Sequence, residues 1–430
     1  MSPLLPAAPT DGHDPYAALR HPKFSRYIVC LFALTLGIQI QGTVVGWQMY
    51  DLTKDPLALG LIGLAEALPA LSTALYAGHV ADQRDRRTIS LIALGVLVLC
   101  SVALWILAGP APLGVAALAS GRVTAIYGVI IVSGVARAFL QPARQALSAE
   151  LVPRTLFKNA ITWRSGTWQL AAVAGPALGG VLYAVGGTLL AYAVDAALMV
   201  IAVLVLLSIQ HRSPVREGSG EGVWESVAGG VRFVVREPVI LGALTLDLFS
   251  VLFGGAVALL PIFAAEILHV GPIGLGVLRA APAAGAVAMS LVLAQHHDFE
   301  RTGHTLLWAV AGFGVCMMGF GLSTTFWLSL ALLFVSGLCD MVSVVIRSTL
   351  LQARTPEGML GRVSSVNQLF IGSSNEIGMF ESGVTARWFG TAPSVVIGGC
   401  ATLVVVGSVA WFVPVLRRLG RLHPDERVGV

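Results

Sequence analysis

Long apolar runs dominate the chain, each parted from the next by a short cluster of charged or turn-forming residues. A helix needs about 20 mostly apolar residues to cross a hydrocarbon core, and twelve runs reach that order. The first six are Tyr27–Tyr50, Leu57–Ala81, Thr88–Ala108, Val123–Leu140, Asn159–Val185 and Leu189–Ile209. The second six are Val239–Leu268, Ile273–Gln295, Thr305–Leu322, Phe326–Leu350, Val363–Phe389 and Pro393–Leu416. The seventh and eleventh exceed the need, and tilt or extension beyond the bilayer absorbs the excess. Between the sixth and seventh runs the pattern breaks. HRSPVREGSGEG is a linker by composition, and VWESVAGGVRFVVREP alternates apolar and charged positions at near-helical spacing. That spacing predicts a helix lying along the membrane surface. The organisation expected is an N-terminal segment 1–26, a six-helix bundle 27–209, a linker 210–238, a second bundle 239–416 and a tail 417–430.

Charge changes the picture from apolar to polytopic. Only 12% of the 430 residues are charged, about half the share of ordinary soluble domains, while 56% are hydrophobic and mean hydropathy is +0.81. Too few charges remain to coat a water-facing surface, which argues against a disordered chain, a nucleic-acid binder and a soluble Rossmann or barrel enzyme. An all-α membrane protein remains. The net charge of +4 is small, so placement decides. Of 27 Lys and Arg, Lys54, Arg122 and Arg387 fall on one side and Arg137, Arg164 and Arg279 within runs. The other 21 lie on the side shared by both termini and every even-to-odd loop, which predicts cytoplasmic termini and a bacterial inner-membrane location. Five cysteines at unrelated spacings, without a CxxC, indicate neither a metal site nor a disulfide framework. The proline-broken, acidic start lacks the basic and apolar regions of a signal peptide.

The halves echo each other. A shift of 216 residues sets Asp55-Pro56-Leu57-Ala58-Leu59-Gly60 on Gly271-Pro272-Ile273-Gly274-Leu275-Gly276 and Asp82 on Asp298. A shift of 203 sets Ser133-Gly134 on Ser336-Gly337, Arg144 on Arg347 and Pro153 on Pro356. Ordered matches at equal topological positions indicate a 6+6 duplication, a common plan among transporters.

After the second run comes Gly78-His79-Val80-Ala81-Asp82-Gln83-Arg84-Asp85-Arg86-Arg87. A Gly, an Asp four residues on and paired Arg resemble the loop signature of the major facilitator superfamily. The resemblance implies two pseudo-symmetric six-helix bundles working by alternating access. It also implies that Asp82 docks on the positive end of a helix in the other half. Gly78 would let helices approach, and Arg86 and Arg87 would add salt bridges, together latching the cytoplasmic side. The plainer reading of the arginines is that they fix topology. The second copy, His297-Asp298-Phe299-Glu300-Arg301, lacks the Gly and the paired Arg.

In the fifth run, Gly175-Pro176-Ala177-Leu178-Gly179-Gly180 resembles the end of the Gly-Pro motif of superfamily exporters, with Ala171 where an upstream glycine is expected. Close packing and a proline kink would seal one end of the bundle. Further runs resemble the bacterial branch holding enterobactin-type siderophore exporters and macrolide-type drug efflux proteins. These are Asp247-Leu248-Phe249 through Leu259-Leu260-Pro261, Pro142-Ala143-Arg144-Gln145-Ala146 and Ser374 through Gly383. That branch implies export of an amphipathic drug or siderophore by proton-coupled antiport. The alternative is a facilitator or importer of a lipid-like or organic metabolite.

Ionisable residues inside the runs cost about 2.5–3.5 kcal/mol each at a helix centre and so face a cavity or a partner. Arg137, Asp247 and Asp340 share a depth roughly 10–15 Å inside the cytoplasmic boundary. Two readings stand: a girdle that pairs on closure and trades a proton, or a static ion pair between the halves. Glu66 lies near the midplane, as a cavity group or a packing hydrogen bond. Arg279 sits at the depth of Glu376 and forms with it an outer gate, or else snorkels. Asp195 is read as a satisfied structural group, Arg164 as snorkelling and Trp47 as an interfacial anchor. Gln39, Gln41, Trp168 and Gln169 suit an amphipathic substrate. The histidines lie in tails, loops and run ends, so a membrane-embedded enzyme finds no catalytic set, and the turn His296-His297-Asp298 reads as a solvated loop. No phosphate-binding sequence follows a strand. The expectation is a monomeric secondary transporter with no cofactor and no metal, handling a small molecule and protons within the lipid bilayer.

Overall fold

In the computed structural model, residues 14–109, 119–211, 223–295 and 301–420 are described. The Asp298 counterpart of the loop signature, the linker 212–222 and the tail from 421 lie outside them, as do the side chains of Asp82, Trp224 and Glu225.

Every regular element among the described residues is helical. In the N-terminal half these are α1 (Pro22–Thr53), α2 (Pro56–Gln83), α3 (Arg86–Ala108), α4 (Ala119–Glu150) and α5 (Phe157–Leu207). The linker helix is α6 (Val223–Arg236). Then come α7 (Pro238–Phe253), the one-turn α8 (Leu260–Ile262), α9 (Gly271–Gln295) and α10 (Thr302–Leu322). The chain closes with α11 (Phe326–Arg354), α12 (Leu360–Phe389), α13 (Thr391–Phe412) and the short α14 (Pro414–Arg417). Among the described residues, ten segments are long and apolar enough to cross a membrane. One of them, residues 154–207, has 54 residues and contains two of the expected runs. It is two helices that meet at Gly186 and Gly187, the latter at φ 63, which only glycine adopts without strain. α12 is not among the ten, because it carries polar residues along its length.

Local chemistry sets the tight turns. Lys54, at φ 51, ends α1, and Asp55 begins α2 by accepting from the Leu57 amide at 3.0 Å, with Pro56 in the first helical position. Asp85 accepts from the Thr88 amide at 2.9 Å and hydroxyl at 2.6 Å, so only two residues separate α2 from α3. The long seventh run neither tilts nor overshoots as one helix. Gly254 and Gly255 break it after Phe253, and a 3₁₀ turn, α8 and a π turn complete Ala256–Ile267.

Two bundles result. α1 packs on α5 and α2 on α4, with α3 behind them; in the other half α9 packs on α11 and α10 on α13, with α7 against α12 and α13. Their outward faces stay apolar, as at Ile92, Leu99, Trp308, Val404 and Trp411, which suits a hydrocarbon surround. α6 is held by the second half. Val234 is buried with Ile240, Leu351, Val363 and Val366, and a Cβ at Gly230 would stand 2.9 Å from the Arg362 carbonyl.

The halves meet along α2–α12 and α5–α9, with α1 also touching α8 and α9. All the closest approaches lie toward the arginine-poor end. A Cβ at Gly180 would stand 2.4 Å from the Pro272 carbonyl, and one at Gly383 would stand 2.7 Å from the Gly60 Cα. Polar contacts join the halves there too: Tyr50 donates to Glu266, and Arg387 pairs with Asp55 at 3.3 Å. At the arginine-rich end the polar contacts among the described residues run within halves. Arg26 donates to the Ser208 carbonyl at 3.0 Å, and Arg354 pairs with Glu237 at 3.2 Å. The molecule is closed at the arginine-poor end.

Candidate functional site

Just inside that closure, polar side chains from both halves converge. Glu66 follows the start of α2 by ten residues, so it lies roughly 15 Å along the helix. A Cβ at Gly134 of α4 would stand 3.0 Å from the Glu66 carbonyl, and one at Gly63 would stand 2.7 Å from the Glu376 carbonyl of α12. α2 is therefore clamped between α4 and α12 at this level. Glu66 forms an ion pair with Arg137, one turn along α4 from Gly134, and both side chains are about one quarter exposed, 27% and 25%. Arg137 also donates to Gln41 Oε1 at 3.0 Å, and Gln41 Nε2 donates to Asp195 Oδ2 at 3.2 Å. From the other half, Arg279 donates to the Gly42 carbonyl at 3.2 Å and feels the charge of Glu66. Glu376 feels Glu66 and Arg137.

The expected girdle, which would pair on closure of the arginine-rich end, is not assembled in this arrangement. Arg137 is spent on Glu66, and Asp247 is instead ion-paired with Arg347, the pair only 6% and 4% exposed. Both members belong to the second half, on α7 and α11, so this pair does not tie the halves together either. Arg347, counted above as a loop arginine, sits seven residues inside α11 because the helix runs on to Arg354. Asp340 is half-buried on the same helix and joins neither pair. The outer gate differs as well: Arg279 bonds the α1 backbone rather than Glu376.

The other expected residues are scattered. A Cβ at Gly175 would lie 2.4 Å from Gln39 Cβ, so Gln39 is a packing contact of α5. Trp168 is 51% exposed, seven residues and roughly 10 Å further along α5, with half-buried Gln169 beside it. Trp47 is buried edge-on to Tyr183, with ring centroids 6.1 Å apart, and so does not act as an interfacial anchor. Arg164 does not snorkel; it donates to Ser148 Oγ at 2.9 Å.

Gly179 packs on Ile40 of α1, while Gly180 and the Pro176 carbonyl face Gly276 of α9. The Gly-Pro motif thus lies on the inter-half contact itself. At the loop signature, a Cβ at Gly78 would meet nothing within 4 Å among the described residues, so the close approach implied there is not made in this state. Arg86 is ion-paired with Glu150, which His211 also approaches at 3.0 Å, and Arg87 donates to the Leu207 carbonyl at 2.9 Å. These contacts tie α3 to α4 and α5, one half to itself rather than to the other.

A family model described as transmembrane secretion effector matches residues 13–421. The chain belongs to that family. Enterobactin exporter EntS of Citrobacter koseri is 27% identical over 351 residues, covering 80% of this chain and 81% of its own. EntS of Shigella flexneri is 26% identical, covering 80% of each. Among solved structures, a point mutant of the nucleoside transporter NupG superposes at TM-score 0.70 with 13% identity, covering 90% of this chain and 99% of its own. The inward-open xylose transporter XylE of E. coli does so at 0.67 and 14%, covering 91% and 96%. The fold is that of the major facilitator superfamily. The chain is a multi-pass membrane protein, a secondary transporter that exports a small molecule.

Proposed function

We propose that this transporter is a proton-driven antiporter that moves an amphipathic organic molecule of the siderophore or drug class out across the bacterial inner membrane. In this reading the chain crosses twelve times, residues 154–207 supplying two crossings and α12 one, so both termini share a side. The arginine bias makes that side the cytoplasm and the arginine-poor end the outside. The described state then faces inward, and the protein works as a monomer.

The observation that carries the reading is the Glu66–Arg137 pair. A partly exposed carboxylate and guanidinium stand where the two halves meet, under the influence of Arg279 and Glu376. Intramembrane charges in such a place serve ion or substrate pathways. Proton entry from outside neutralises Glu66 and loosens Arg137. Return to the inward-facing state releases the proton and restores the pair, and the substrate takes the site in the alternate half-cycle. Trp168 and Gln169 offer an aromatic and an amide surface on α5. The EntS relatives support the siderophore class.

The test is transport in proteoliposomes with an imposed pH gradient, offering enterobactin, a macrolide and a lysolipid in turn. One of them is expected to accumulate against its gradient in wild type and only to equilibrate in Glu66→Gln. Accumulation that ignores the pH gradient overturns antiport, and movement only in the opposite sense overturns export.

A further inference from the structure

Asp195 is a fully buried carboxyl of the central cluster that, like Glu376, has no cation in contact among the described residues. It lies on α5 beyond the Gly186–Gly187 break and is 0% exposed. Gln41 gives it a single hydrogen bond, at Oδ2. Its Oδ1 has no partner among the described residues, and a Cβ built at Gly37 of α1 would stand 2.9 Å from that atom. Among the described residues, no neighbouring element brings a compensating charge into contact with it. α1 contributes Gln41 alone, and Met199 and Leu198 of α5 line the same contact with Gly37. α3 brings Cys100 and Ser101; the Ser101 hydroxyl acts on the carboxyl, yet its Oγ makes no hydrogen bond of regular geometry either. Tyr192 on α5 senses the carboxyl but donates to Gln48 at 2.6 Å. α4 offers Arg137, which reaches Asp195 only through Gln41.

An ionised carboxylate in this position would be a buried charge with one amide donor, which the interior disfavours strongly. A protonated one is different, because its O–H can donate to the Ser101 hydroxyl that acts on this carboxyl, and both orphaned atoms would then be satisfied. Charge counting agrees. Glu66, Glu376 and Asp195 face Arg137 and Arg279, three acids against two bases, so one proton leaves the cluster neutral.

We propose that Asp195 is a second proton site of this transporter, occupied while Glu66 and Arg137 are paired and emptied when that pair opens. Gln41 links the two sites, since its amide oxygen takes Arg137 while its amide nitrogen serves Asp195. A proton entering Glu66 frees the guanidinium charge, which then acts through Gln41 to favour the Asp195 carboxylate. One proton arrives at Glu66 from outside water as one leaves Asp195 Oδ1 to water, and the cluster charge is unchanged. The inference extends the antiport reading, but its test does not involve transport.

The experiment is infrared spectroscopy of the purified full-length protein in lipid, following the C=O stretch of protonated carboxyls. At neutral pH, wild type minus Asp195→Asn is expected to show one protonated, exchange-resistant carboxyl lost. Proton release on an alkaline jump should fall by one per chain. In Glu66→Gln, where Arg137 is freed, the same band should be bleached. A difference spectrum without that band, or a band untouched by Glu66→Gln, overturns the proposal. Should Asp195→Asn fail to fold, Gln41→Leu serves: removing the donor to Oδ2 must shift the band, and an unmoved band is equally fatal. A failed proton-driven transport assay would leave this result standing, and a missing band would leave export standing.

Discussion

The seal at the arginine-poor end makes a sharp prediction about conformational balance. A Cβ at Gly180 would come within 2.4 Å of the Pro272 carbonyl, and one at Gly276 within 2.5 Å of the Pro176 carbonyl. The obstructing atoms are backbone on both sides, so neither can rotate away. Gly180→Val therefore forces α5 and α9 apart, at the roughly 1–3 kcal/mol typical of overpacking. The contact exists only in the closed arrangement, so the cost falls on one state alone, and the equilibrium moves toward opening by about 5- to 150-fold. Spin labels at Lys54→Cys and Ile273→Cys, on a background whose native cysteines are replaced, report the separation by electron–electron resonance. The distance distribution should gain a longer component in Gly180→Val, and Gly180→Ala should lie between it and wild type. A folded Gly180→Val with an unchanged distribution would refute the reasoning, because the helices would then have to close around a side chain for which there is no space.

Three further outcomes follow from particular contacts. Asp247→Asn breaks a buried ion pair, and the stranded Arg347 should lower stability by ~3–5 kcal/mol. Asp247→Leu with Arg347→Met should regain most of it, both read as melting midpoints by fluorescence-detected size exclusion. Arg86→Ala takes from Glu150 its guanidinium partner and should cost about 1.5–3 kcal/mol on the same assay, without lengthening the Lys54–Ile273 label distance, since the pair lies within one half. Tyr50→Phe removes the hydroxyl that donates to Glu266 across the halves. It should open the arginine-poor end in the resonance experiment while leaving the melting midpoint near wild type; the reverse pattern would place this bond in the fold rather than the seal.

Length and depth were legible in the sequence, because a hydrocarbon layer imposes both. Most of the runs fall within helices, the linker helix appears where its charge spacing puts it, and the depth of Glu66 can be counted from Pro56. Rotation about each helix axis was not legible. Arg137, Asp247 and Asp340 share a depth, yet Arg137 turns to α2 and Asp247 to α11. Pairing depends on which neighbour a side chain faces, and depth alone does not fix that. Arg347 was missed for a related reason. An arginine at the end of an apolar run reads as a topology marker, and only the continuation of α11 to Arg354 puts it inside. Asp195 was read as satisfied because most buried carboxyls are; its orphaned oxygen is a property of geometry alone. The break at Gly254 and Gly255 was in plain view, but an excess of apolar length invites tilt before a change of helix type.

The seal between Gly180 and Gly276, and between Gly60 and Gly383, has a consequence for how such a transporter can change over generations. A joint made of main chain against main chain has no graded variants, since the smallest possible side chain already intrudes. Rates of opening must therefore be adjusted at the periphery of the joint. There Tyr50 and Glu266, or Arg387 and Asp55, can be exchanged one hydrogen bond or one charge at a time. The glycines hold the joint fixed, and the polar pairs beside them are where its timing can be set.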